Sequence, residues 1–80
     1  MKIALGADSA GKPLLDVIEA YLKTKPEHQI SNLSDAGFYA DMAAGVAKKV
    51  KDGSFDRAIL VCGTGIGVCI SANKVPGIRA

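Results

Sequence analysis

The stretch Arg57-Ala58-Ile59-Leu60-Val61-Cys62 limits the fold more than any other part of the chain. It is the clearest strand, apolar at every position after Arg57, and it runs directly into Gly63-Thr64-Gly65-Ile66-Gly67. Unbroken apolar character in a strand implies burial on both faces, as in a parallel sheet covered by helices. A glycine-rich turn at the end of such a strand, followed by Val68 to Asn73 as the start of a helix, is one step of a β-α wind.

The rest of the chain repeats that step. Lys2 to Gly6 is a short apolar run ending in Gly6-Ala7-Asp8-Ser9-Ala10-Gly11. Pro13 then opens a helix, because its missing N–H is unneeded in a first turn. Leu14, Leu15, Ile18, Tyr21 and Leu22 recur at helical spacing and form its expected apolar face. Lys25-Pro26 ends it, since a residue before proline is pushed toward extended geometry. Ile30 to Leu33 is a weak second strand, and Ser34-Asp35-Ala36-Gly37 is a loop. An Ala-rich helix with Met42, Val46 and Val50 on one face runs from Tyr39 to Lys51 and closes at Gly53. Val75-Pro76-Gly77-Ile78-Arg79 reads as a turn feeding a fourth strand. The pattern β-α-β-α-β-α is that of an open doubly wound α/β sheet, and residues 1–80 are expected to be a single partial domain, cut short after its third strand and third helix.

Size and charge narrow the function. A chain of 80 residues buries only about 60% of its unfolded surface, so its core is marginal unless further chain or a second copy covers it. A net charge of +2 with 5% aromatic residues does not favour nucleic acid or anionic membrane as partner. Lys48, Lys49 and Lys51 read as a solvated helix end. No run approaches the roughly 18 apolar residues that span a bilayer. Without a signal-peptide pattern at the start, the default compartment is the cytoplasm. There Cys62 and Cys69 stay reduced, and their spacing suits neither a redox pair nor a zinc site.

In doubly wound sheets ligands bind beyond the carboxyl ends of the strands, where strand order reverses. If the first and third strands are neighbours, Asp8-Ser9 and Cys62-Gly63-Thr64 face one crevice. The Gly63 to Gly67 turn can converge several backbone N–H groups on one point at a helix start, and such a nest takes a phosphate or the negative charge of a reacting intermediate. Dipoles there also favour the thiolate of Cys62, which makes it a candidate base or nucleophile. Cys69, inside the third helix, reads as a buried small hydrophobe. Asp8 either caps the following helix or binds sugar hydroxyls, and Tyr39 either packs at its helix start or leans into the crevice. Two nucleotide motifs fail. Gly6 to Lys12 has Walker spacing, but Pro13 replaces the Ser or Thr that would hold magnesium. The later G-x-G-x-G displaces the third glycine of the dinucleotide fingerprint, and no acidic residue follows about 20 positions on.

Three segments together carry a resemblance: Lys2-Ile3-Ala4-Leu5-Gly6-Ala7-Asp8, then Cys62-Gly63-Thr64-Gly65-Ile66-Gly67, then Ala72-Asn73-Lys74-Val75-Pro76-Gly77-Ile78-Arg79. The chain resembles the amino-terminal half of the sugar-phosphate isomerases typified by ribose-5-phosphate isomerase B and the galactose-6-phosphate isomerase subunits. That resemblance implies a Rossmann-like α/β/α sandwich, interconversion of an aldose phosphate with a ketose phosphate without metal or cofactor, and a homodimer whose subunits share each active site. Proton transfer maps onto Cys62. Stabilisation of the enediolate maps onto the amides of Gly63, Thr64, Gly65, Ile66 and Gly67, with Thr64 grouped with Cys62 as catalytic. Asp8, Tyr39 and Asn73 map onto substrate-binding positions. Ser9 stands where the family commonly has a phosphate-side histidine, which makes a tetrose phosphate plausible beside ribose 5-phosphate. The ring-opening histidine and phosphate-binding arginines of the family have no counterpart in these residues. The competing expectation is a noncatalytic anion-binding or interaction domain that keeps the nest.

Overall fold

A computed structural model describes residues 1–35 and 37–80; Ala36, in the loop read from Ser34 to Gly37, lies outside the described residues. The elements are β1 (Lys2–Ala7), α1 (Lys12–Leu22), β2 (Gln29–Asn32), α2 (Tyr39–Lys51), β3 (Arg57–Val61) and α3 (Ile66–Asn73). The three strands are parallel in the order β2-β1-β3. Ile3 is in register with Ile30 on one side and Arg57 on the other. The α/β fold class read from the sequence is the fold observed.

Strand alternation divides the core into two layers. Ile3, Leu5 and Ala7 of β1 turn to one face, where Leu15 of α1 covers them together with half-buried Ile59 and Val61. Ala4 turns to the other face and meets Met42, Ala43 and Val46 of α2 and Val68 of α3. Gly6 shares that face: a Cβ there would sit 2.7 Å from Met42 Sδ. Small residues on this side of β1 let the Ala-rich α2 lie close to the sheet. The result is one helix on one face and two on the other, a three-layer sandwich.

The stripe on α2 follows from its sequence, with Met42, Ala43, Val46 and Ala47 buried, Asp41 in the first turn and Lys48, Lys49 and Lys51 in the last. Gly53 follows the helix end with φ +88°, a left-handed conformation that favours glycine.

Two expectations are corrected. On α1 only Leu15 is buried, with Ile18 and Leu22 half-buried, whereas Leu14 is 56% and Tyr21 60% exposed. The spacing i, i+3, i+7 from Leu15 faces the sheet, while Leu14 and Tyr21 share the flank one residue earlier. Strand β3 is not buried on both faces; Ala58 to Val61 are half-buried, because β3 is an edge of this sheet. The chain turns at Val75 to Gly77, as read from the sequence. Val75 is buried against Ala47 and Ala72, and Asn73 pins Ala80 beside the end of α3: its Nδ2 donates to Ala80 O at 3.1 Å and its Oδ1 accepts from Ala80 N at 2.9 Å.

Candidate active site

Strand order decides where chemistry can occur. The chain leaves β1 toward β2 on one side and returns to β3 on the other, so the loops after β1 and β3 part and leave a crevice between them. Ala7 pairs with Val61 at the strand ends, and Asp8 N donates to Val61 O at 3.4 Å. Asp8 and Cys62 are therefore neighbours although 54 positions separate them in the sequence.

Asp8 holds its own loop. Its Oδ1 accepts the Gly11 N–H at 2.8 Å, and Ser34 Oγ accepts the Ala7 N–H at 2.9 Å at the tip of β1. Gly11 is buried, and a Cβ on it would meet the Val61 carbonyl, lying 2.6 Å from Val61 C and 3.0 Å from Cys62 Cα. Only glycine fits against the peptide that carries the thiol. Sequence reasoning passed over Gly11; its position directly before Lys12-Pro13 at the helix start is the signal that was available.

Cys62 is half-buried at the mouth of β3. Its Sγ accepts the Gly65 N–H at 3.1 Å. The Val68 backbone N–H lowers the thiol pKa most; burial opposes it, and the N–H groups of Thr64 and Gly65 and the Thr64 hydroxyl lower it further. Gly65 has φ +76° as the residue before α3, a conformation that aims its amide at the sulfur and that a side chain would strain. Thr64 Oγ1 accepts the Ile66 N–H at 3.2 Å. The amides of Gly65 and Ile66, expected to meet a substrate anion, are thus directed at Cys62 and Thr64. The nest acts first on the thiolate.

Asp8, Tyr39, Cys62, Gly63, Thr64 and Gly67 line one open pocket of about 250 Å³ with Ala10. Ser9 lies in an adjoining pocket of about 330 Å³ that shares Asp8 and includes Lys12 and Asn32. Ile66 is 63% exposed on the outer side of α3. Asn73 is exposed at the far end of α3 and bonded to Ala80, so the fold does not bring it to the sulfur. Cys69 is half-buried rather than buried, with its Sγ 3.4 Å from Asn73 Nδ2. A larger cavity of about 440 Å³ runs along β3 past Asp56, Ala58, Leu60 and Ile78, and its lining includes none of Asp8, Tyr39 and Cys62. Among the described residues no three His, Cys, Asp or Glu side chains group as metal ligands, and no helix is long and apolar enough to cross a membrane.

Fold and site define a parallel α/β protein with an open crevice at its topological switch point and a cysteine held by backbone N–H groups inside it. The profile described as ribose/galactose isomerase matches residues 3–80, and the chain belongs to that family. It is 45% identical over 84 residues to D-erythrulose-4-phosphate isomerase of Pectobacterium atrosepticum, covering 100% of this chain and 55% of that protein. It is 42% identical over 82 residues to ribose-5-phosphate isomerase B of Escherichia coli, covering 99% of this chain and 55% of the relative. The structure of ribose-5-phosphate isomerase B from Clostridium thermocellum superposes with a TM-score of 0.90 at 42% identity, over 99% of this chain and 55% of that one. The chain spans about half the length of the curated relatives it matches.

Proposed function

We propose that the intact protein is a sugar-phosphate aldose-ketose isomerase and that these residues supply its proton-transfer loop. The observation that carries this reading is the Cys62 sulfur: it ends β3, is held by backbone N–H groups that favour its thiolate, and shares its pocket with Asp8 and Tyr39. The thiolate takes the proton from the carbon beside the open-chain carbonyl. The electron pair of that C–H bond forms the enediolate, the hydroxyl proton on the second carbon's oxygen passes to the former carbonyl oxygen, and the Cys62 thiol returns its proton to the first carbon, so the carbonyl has moved by one carbon. The charge of the enediolate needs donors at hand, each worth about 3 kcal/mol, and the Gly63, Thr64 and Gly67 backbone at the pocket wall is suited to supply them. Asp8 and Tyr39 bind substrate hydroxyls, and Ser9 donates one hydrogen bond toward the phosphate.

The names of the relatives, which include D-erythrulose-4-phosphate and ribose-5-phosphate isomerases, support a phosphorylated sugar of four or five carbons. Ser9, uncharged where a histidine is common, favours the shorter one. The reading includes a homodimer, for which Ile66 and Ile70 of α3, 63% and 55% exposed, offer apolar surface. The test is Cys62→Ala in the intact enzyme, assayed with tetrose, pentose and hexose phosphates in deuterated water. Proton exchange at the second carbon is expected to vanish while substrate binding persists. Normal exchange in that variant would remove Cys62 from the mechanism.

A further inference from the structure

Two glycines of the Gly63 to Gly67 turn have different reasons to be glycine. Gly65 is required by its backbone, at φ +76°. Gly67 is not: it lies at the second position of α3, and the positive-φ glycines are Gly53, Gly65 and Gly77. Helical backbone favours alanine over glycine, so α3 alone would select against Gly67. What an added Cβ would meet is Tyr39. It would lie 2.5 Å from Cε2, 2.9 Å from Cζ and 3.0 Å from Oη of that ring. Tyr39 is the first residue of α2, and its ring sits 4.8 Å, centroid to centroid, from the tilted ring of Phe38. Its hydroxyl end therefore rests on a backbone position that presents no side chain, within the same pocket as Cys62.

We propose that Gly67 is a positioning residue: its bare backbone seats the Tyr39 ring beside Cys62 and so sets where the Tyr39 hydroxyl meets substrate. The second half of this proposal rests on the isomerase reading; the seating itself does not. Any side chain at position 67 displaces the ring by overpacking, and once the ring is removed the helix gains from the same substitution.

The experiment is a double-mutant cycle of Gly67→Ala and Tyr39→Ala in the intact enzyme. Gly67→Ala alone is expected to lower Tm by about 4 °C or more, and in the Tyr39→Ala background to raise it. With sugar phosphate as substrate, Gly67→Ala should raise KM about tenfold, the worth of one displaced hydrogen bond, and move kcat by less. In the Tyr39→Ala enzyme it should raise KM by a clearly smaller factor. Equal Tm losses in both backgrounds would overturn the seating, and equal KM increases would overturn the substrate role. An unsubstituted enzyme without isomerase turnover would instead refute the proposed function, and the Tm cycle would still decide the seat.

Discussion

Gly11→Ala drives a methyl group into the peptide that carries Cys62. The new carbon would lie 2.6 Å from Val61 C, where ordinary contact begins at 3.4 Å, so loop and strand end must part by about 0.8 Å. The obstacle is backbone, which cannot swing aside as a flexible side chain can. Overpacking of this kind costs about 1–3 kcal/mol. The backbone at Gly11, φ −86° and ψ −13°, accepts alanine without strain, so reduced freedom of the unfolded chain returns about 0.4–1 kcal/mol. A net loss of up to about 2.6 kcal/mol follows, centred on about 1.3 kcal/mol, which reads as a Tm lower by roughly 5–10 °C. The effect on chemistry should be larger, because a misplacement near 1 Å can cost about 100-fold in rate. Moving the Cys62 Cα also loosens the Gly65 N–H bond to its sulfur, now 3.1 Å, and so raises the thiol pKa. The assay pairs a thermal melt with iodoacetamide alkylation across a pH series, using Cys69 as internal reference, and with deuterium exchange into the sugar phosphate. Alkylation and exchange profiles unchanged within about threefold, in a variant that melts normally, would refute the claim that Gly11 sets the height of the thiol.

Two further outcomes are expected. The folded Cys62 thiol titrates below its unfolded counterpart, near 8.5. Its contribution to stability is therefore fully present above the unfolded value and lost as pH falls through the folded one. Denaturant melts of the wild type against Cys62→Ser should show the wild type gaining relative stability as pH rises through that window, and a flat or inverted difference would show that the amides do not hold the thiolate. Light scattering should give a dimer for the intact protein, and Ile70→Lys, on the exposed side of α3, should shift it toward monomer; a monomeric wild type would sink the dimer.

Much of the fold is legible because it is local. The bounds of α2, Tyr39 to Lys51, are those read from its apolar stripe and from Gly53, since helix period and a left-handed stop are encoded within a few residues of each other. The run ending at Cys62 and the glycine-rich turn after it are legible for the same reason. On α1 the apolar residues spread too widely for periodicity to choose a face, so the side that packs was settled by the sheet it meets. The turn at Val75 to Gly77 is legible from Pro76-Gly77, but its packing is not: Val75 against Ala47 and Asn73 with Ala80 are contacts that no local pattern records.

Sequence alone determined that the chain alternates strands with helices and that a cysteine stands at the tip of one strand before a turn rich in amides. Tertiary structure decided what surrounds that cysteine. The order β2-β1-β3 brings Asp8 and Gly11 to it from the first strand and turns two of the amides inward, on the sulfur and on Thr64. Packing of α2 on α3 sets Tyr39 against Gly67. Backbone preference acts over three or four residues, whereas these contacts join positions up to 54 apart in sequence and exist only once burial of the two apolar layers has chosen which strands are neighbours.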